Sequence, residues 1–340
     1  MSGERMRSEM LEQPAVLGRL ADRFDQHVTA VRTVVRRPLS GVVFVARGSS
    51  DNAAVYGRYL AELSSGRPAG LAAPSLHTLY ETRAHYAGFL VVAISQSGAT
   101  PEIVTVCRRL RNAGARTVAI VNDAHSLLAE AVDAVLPLDA GPELAVPATK
   151  TVTGEMLAAA AVAAAIGTAP FTGEQLAVIP DAVESVLAEA DVADALAGEW
   201  AAAERLFVVG RGLLYAVALE AALKIKEITG MLAEGISSAD LRHGPIGVAR
   251  SDVPVLVLDG GGPAREDLRD VAELARERGA PVAVMSDAAD AELPLPEGLP
   301  EPLAAFPATA RAQQLALALA DARGIDADEP AGLTKVTPTQ

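Results

Sequence analysis

The sequence has a single cysteine, Cys107, in 340 residues. An internal disulfide and an all-cysteine metal site are therefore both excluded, a composition suited to a reducing compartment. A basic surplus is missing as well. Lysine and arginine number 29 against 43 aspartates and glutamates, a net charge of −14, and nothing gathers the cations into a face that could track a nucleic-acid backbone. Nucleic acid is thus not expected as a partner. The longest apolar run, Met156 to Ile166, is mostly alanine and shorter than a membrane-spanning helix requires. The opening MSGERMRSEM is charged where a signal peptide would be apolar. The expectation is a cytoplasmic protein with no membrane partner.

Two nucleotide signatures are also missing. No Gly-Lys-Ser/Thr closes a Walker A loop, and no Gly-x-Gly-x-x-Gly follows a first strand. His27, His77, His85 and His125 are scattered without ligand spacing. Neither a metal nor a cofactor is expected.

What is present is apolar sequence in a regular rhythm. Half of the residues are hydrophobic, enough for two cores in a chain too long for one. Leu11, Leu17, Leu20, Phe24, Val28 and Val31 recur at helical spacing ahead of Pro38, which predicts a helical lead-in over residues 1–36. From 41 onward GVVFVA, FLVVAIS, RTVAIV and AVLPL each give way to polar and then amphipathic sequence, and a similar series restarts at RLFVVG and runs through VPVLVLD and PVAVM. This alternation describes α/β architecture with two doubly wound parallel sheets in tandem. The expected boundaries are 37–198 and 199–325, with a tail over 326–340. The halves read as diverged copies, since VFVARGSS beside FVVGRGLL aligns Arg47-Gly48 with Arg211-Gly212.

Chemistry is expected where strands end, because open parallel sheets bind ligands at the carboxyl ends of their strands. AISQSGATPE brings Ser95, Gln96, Ser97, Gly98 and Thr100 to such a junction, and RGSSDN at 47–52 brings Ser49 and Ser50 to another. Backbone N–H groups, a helix dipole and hydroxyl donors together favour an anion. Serines there also cap helices without binding anything, but two such junctions in one half favour a small phosphorylated metabolite. In ALEAALKIKEITG, Glu220, Lys224 and Glu227 share one helix face. They fit a solvated stripe or a buried charged row equally well. SSADLRHGP holds His243 before a rigid Gly-Pro turn, although a lone histidine is more often structural. The C-terminal DADEPAGLTKVTPTQ is polar and reads as a frayed tail, with Leu333 and Val336 around Lys335.

The motifs ISQSG, ATKT, ALEAALKIKEI, RHGP and LTKV occur in the order seen in the SIS (sugar isomerase) domain family, whose tandem domains are flavodoxin-like. The chain resembles the isomerase half of glucosamine-6-phosphate synthase, with EMLEQP similar to its opening linker. That enzyme's glutaminase uses an N-terminal cysteine, whereas position 2 here is Ser2 and Cys107 is internal. The resemblance therefore implies a chain that does not make ammonia from glutamine. ARGSSDNAAVYGRYL, AGPELAVPATK, SSADLRHGP and LTKVT are more similar to the SIS-type glucosamine-6-phosphate deaminases.

Carried over by motif, the resemblance implies that Ser50, Ser95, Gln96, Ser97 and Thr100 hold a 6-phosphate. Gly48, Ser49, Val146, Ala148 and Glu220 would line the sugar. Glu227 would move the proton between C1 and C2, with Lys224 as its charge partner, His243 as the ring-opening acid/base and Lys335 on a C-terminal lid. In the family the histidine comes from a neighbouring subunit, so a homodimer is implied. The implied reaction is deamination of glucosamine 6-phosphate to fructose 6-phosphate and ammonia. The alternatives are dehydration of N-acetylglucosamine 6-phosphate, aldose–ketose isomerase or deglycase chemistry on a related sugar phosphate, and non-catalytic sensing. Pro147 and Ala148 stand where the synthases carry Ala-Ser, which removes a hydroxyl near the sugar.

Overall fold

The computed structural model describes residues 3–80 and 82–335. Residues 336–340 of the expected tail lie outside the described residues. The lead-in is helical, as α1 (Glu4–Leu11), α2 (Gln13–Asp22) and α3 (Phe24–Val34). Leu17, Leu20, Val28 and Val31 are buried as their spacing requires, while Leu11 faces outward.

The chain divides into two compact units, one of residues 15–143 and 150–172, the other of residues 3–14, 144–149 and 173–335. In the first, β1 (Gly41–Val45), β2 (Ala69–Leu71), β3 (Phe89–Ser95), β4 (Arg116–Val121) and β5 (Ala134–Pro137) form a sheet in the order β2-β1-β3-β4-β5. Every pairing is parallel. Such a sheet is covered on both faces, which is why the central strand FLVVAIS is almost wholly apolar rather than alternating. The crossovers are α4 (Ser49–Ser65), the short α5 (Pro74–Thr78) and α6 (Pro101–Asn112). Helix α6 lays Ile103, Val106, Cys107 and Leu110 against Val91, Ala93 and Ala119. After β5 comes α7 (Lys150–Ile166), alanine-rich and buried along nearly its whole length. A helix that is apolar all round must be covered all round, and α3 and α4 pack on it.

The second unit repeats this plan. Strands β6 (Arg205–Gly210), β7 (Leu232–Ser237), β8 (Val255–Leu258), β9 (Val282–Ser286) and β10 (Leu293–Pro294) run in the order β10-β9-β8-β6-β7, again all parallel. Counted from the first strand of each unit, both sheets have the order 2-1-3-4-5, the flavodoxin-like winding. Its helices are α8 (Gly173–Ala177), α9 (Ile179–Ala188), α10 (Asp191–Trp200), α11 (Leu214–Thr229), α12 (Ser238–Arg242), α13 (Arg265–Glu277) and α14 (Glu301–Ala322). Helix α14 is the counterpart of α7, buried from Pro302 to Ala320. Its cover comes from α9, α10, α11 and α1. That demand explains a boundary unlike the expected one. Residues 3–14 and 173–198 pack with the second unit, because α14 needs cover on every side. Among the described residues no helix is long and apolar enough to cross a membrane.

Candidate active site

In each sheet the chain changes winding direction between its first and third strands, which opens a crevice at their carboxyl ends. In the first unit the turn after β1 and the turn after β3 meet there. Gly48 precedes α4 at φ +61° with open space where a side chain would stand. Gly98 has φ +59°, and a Cβ on it would lie 2.1 Å from the Ser126 hydroxyl, so this turn closes only around glycine. The turn is wound by its own serines. The Gly98 N–H donates to Ser95 Oγ at 3.2 Å and the Ala99 N–H to Ser97 Oγ at 3.2 Å. Both hydroxyls accept these bonds, so each O–H can point its proton elsewhere. Thr100 stands at the N-cap of α6 in extended conformation, followed by Pro101. Behind the turn, Asn122 N–H donates to the Gln96 carbonyl at 3.1 Å and Leu128 N–H to the Gly98 carbonyl at 3.0 Å.

Ser50 is turned differently. Its hydroxyl donates to Glu155 Oε1 of α7 at 2.8 Å, and both residues are buried. Ser49 beside it is half-buried. Across the crevice Arg47 grips Glu102, in the first turn of α6, with two bonds of 2.9 and 3.0 Å. Asp51, in the first turn of α4, is pushed up from the ordinary carboxylate range by burial, against the pull of Arg47.

The second unit's crevice has the same plan and another content. Arg211 stands where Arg47 does and reaches Asp267, in the first turn of α13, at 3.3 Å. At the start of α11 the Leu213 N–H donates to Glu301 Oε1 at 3.1 Å, so a side-chain carboxylate fills the anion position. Burial pushes the Glu301 carboxyl up, the Leu213 N–H pulls it back, and Asp259 adds to the rise.

The charged row of α11 is a buried one. Lys224 is 1% exposed and lies 3.7 Å from Glu220, itself 3% exposed, and it also pairs with Glu227, which is 25% exposed. Lys224 donates to the Glu227 carboxylate. Unpaired, such a cation would be costly to bury. Glu227 sits near the end of α11, beside the strand starts, since β7 begins opposite Arg205, the first residue of β6. His243 follows α12, beyond the opposite end of β7. The strand between them spans about 17 Å at the usual rise per residue. His243 is exposed.

The SIS domain family matches residues 40–165 and 200–295 of this chain. The chain belongs to the SIS domain family. A glutamine–fructose-6-phosphate aminotransferase of Streptomyces coelicolor is 35% identical over 97% of this chain and 58% of its own length. The SIS chain thus spans about half the length of the curated relatives it matches. A candidate phosphosugar isomerase from Silicibacter pomeroyi is 34% identical, with a TM-score of 0.82 over 96% of this chain and 100% of that one. A glucosamine-6-phosphate deaminase from Thermotoga maritima, 21% identical with a TM-score of 0.80 over 99% of this chain and 100% of that one, shares the fold.

The remaining residues singled out from the SIS resemblance lie in the second unit. Val146 and Ala148 are half-buried on either side of buried Pro147. Their loop is pinned by carboxylates: Glu9 accepts from the Leu144 and Ala145 N–H groups, and Glu143 from the Thr151 N–H at 3.1 Å and hydroxyl at 2.6 Å. Lys335 is half-buried at a bend. The sequence reading missed Glu155, Glu102 and Asp267. The acids following Pro101 and Glu266 in the two first turns were the available signal for the last two.

Proposed function

We propose that this SIS chain deaminates glucosamine 6-phosphate, taking up water and releasing fructose 6-phosphate and ammonia. The observation that carries the reading is the Glu220–Lys224–Glu227 row, in which a buried lysine presents one partly exposed carboxylate. In the open-chain sugar the C2 proton is acidified by the C1 carbonyl. Glu227 removes it, leaving an enolamine, and returns it to C1, which converts the enolamine to a ketimine at C2; water adds to the ketimine carbon and ammonia leaves. Lys224 holds the Glu227 carboxylate in place. Charge building on the sugar oxygen is met by fixed donors.

The 6-phosphate is assigned to the first crevice, with Ser95, Gln96, Ser97 and Thr100 as donors and Gly48 and Ser49 at its rim. Ser50 is the weakest of the set, because its proton is committed to Glu155. His243 serves as the ring-opening acid/base and Lys335 as part of a lid. The placement of His243 and Glu227 at opposite edges of one sheet supports a homodimer in which the histidine serves the neighbouring copy. The names of the Streptomyces and Silicibacter relatives point to the same substrate class.

A second reading rests on Val146, Pro147 and Ala148, which offer no hydroxyl. A pocket lined this way suits an acetylated amine, whose C2 anion would expel the C3 hydroxyl instead. One experiment separates the two. The protein is incubated with glucosamine 6-phosphate and with its N-acetyl derivative, and ammonia, fructose 6-phosphate and ultraviolet absorbance are followed. Ammonia with fructose 6-phosphate from the free amine is the expected result; absorbance from the acetylated sugar alone would replace deamination by dehydration. The phosphate assignment is checked by Ser97→Ala, which should raise KM about tenfold, the worth of one hydrogen bond to a charged group.

A further inference from the structure

Helix α12 is five residues long and ends at His243, whose N–H donates to the Asp240 carbonyl at 3.0 Å. A helix this short does not hold its own shape in water, so its direction must be imposed from outside. Its start is capped locally, where the Asp240 N–H donates to Ser237 Oγ at 3.1 Å. Both of its ends are also tied to one side chain on α13. The Ser238 hydroxyl donates to Asp267 Oδ2, and Arg242 Nη1 donates to Oδ1. Arg242 Nη2 adds a bond to the Asp267 carbonyl at 2.9 Å, and Arg211 reaches Oδ2 at 3.3 Å from the turn after β6. Burial alone would raise this carboxyl, but the bonds from Ser238 and Arg242 and the charges of Arg242 and Arg211 hold it below the ordinary range. One carboxylate thus gathers the first residue of α12, its last residue and the crevice arginine.

We propose that Asp267 is the positioning residue of the His243 turn, acting on proton transfer through α12 and not on the sugar. The inference rests on the reading of His243 as an acid/base. In the first unit the equivalent clasp, Arg47 on Glu102, ties the two turns of the crevice; in the second, the same clasp has been extended by Ser238 and Arg242 to hold a histidine. Misplacing a reacting group by about 1 Å costs on the order of 100-fold in rate, so loosening α12 should be felt in kcat.

The test compares Asp267→Ala, Asp267→Asn, His243→Ala and the double variant His243→Ala/Asp267→Ala on glucosamine 6-phosphate. Asp267→Ala should lower kcat about 10- to 100-fold with KM changed less than twofold, because the phosphate turns lie on the other sheet. The double variant should be no slower than His243→Ala alone. Losses that multiply in the double variant, or an unchanged kcat in Asp267→Ala, would overturn the proposal. A fully active His243→Ala would instead remove the reading of His243 on which it rests. Amide hydrogen exchange supplies a readout independent of turnover and of the alanine variant's folding. In Asp267→Asn, exchange at 238–244 should quicken at least tenfold while β6 and β8 are unchanged; equal protection in both proteins would refute the positioning role.

Discussion

Replacing Lys224 by methionine isolates the energetics of the α11 row. The side chain is almost fully buried, and so is the Glu220 carboxylate 3.7 Å away. Methionine fills most of the lysine's volume and leaves the surrounding packing nearly intact, so the change is chiefly electrostatic. Removing one member of a buried pair costs about 3–5 kcal/mol. Glu227 adds little to that figure, because it reaches solvent. In a unit of this size each kcal/mol moves the melting midpoint by about 2–4 °C, so Lys224→Met should melt roughly 10 °C below the parent. Calorimetry or circular dichroism at pH 7 measures it. The control is Lys224→Met/Glu220→Gln, in which both buried charges are gone and most of the loss should return. A Lys224→Met midpoint within 2 °C of the parent, or a double variant no more stable than the single, would refute the claim that Lys224 compensates Glu220.

Gly98→Ala should cost about 2 kcal/mol or more in chemical denaturation, since it combines a left-handed backbone with a 2.1 Å clash on Ser126. Gly48→Ala has open space but a backbone at φ +61° and ψ −137° that side chains avoid, so it should cost about 1–3 kcal/mol from strain alone. Burial pushes the Cys107 thiol up to about 12, only partly offset by nearby arginines, so a thiol reagent at pH 8 should label the native chain far more slowly than the unfolded one; equal rates would contradict this. Because the fold raises the Glu301 carboxyl above its usual 4.5, its contribution to stability is greatest below that value and declines as pH rises through the folded value. Glu301→Gln should therefore gain in midpoint relative to the parent between pH 4 and pH 7, and parallel pH curves would show that the raised carboxyl is not felt.

The strands and their parallel arrangement were legible because burial on both faces of a sheet demands unbroken apolar runs, and FLVVAIS and RLFVVG can be little else. The Arg-Gly repeat was legible too, but its meaning was not. Arg47 and Arg211 meet acids 55 and 56 residues further along, and that pairing becomes visible only when the first and third strands are known to be neighbours. The state of the α11 row stayed open for a similar reason: α11 is covered by β6, β7 and α14, the last more than 70 residues downstream, and no local pattern reports that cover. The Ser-rich stretches do lie where β1 and β3 pass into helices, the position from which a phosphate site was expected. What sequence could not tell was that one hydroxyl, Ser50, faces inward to Glu155 on a helix whose burial is set by tertiary contacts.

Duplication supplies two crevices of one geometry, and their divergence explains where chemistry can occur. The first keeps hydroxyls and N–H groups at its turns. The second is closed to anions from within, because Glu301 occupies the start of α11 and Asp259 stands near it. Asp259 is itself held by Arg265 at 2.9 Å, which leaves that arginine committed. A phosphate entering there would meet like charge and no spare cation. Under the proposed roles the second unit contributes to the reaction from outside its crevice, and Glu227 and His243 lie toward opposite ends of β7, which spans about 17 Å. Under the roles proposed above, that separation is the reason for assigning Glu227 and His243 at one sugar to different copies. In the proposed homodimer each α12 turn would serve the neighbouring copy, and the clasp on Asp267 would govern how accurately each histidine is delivered.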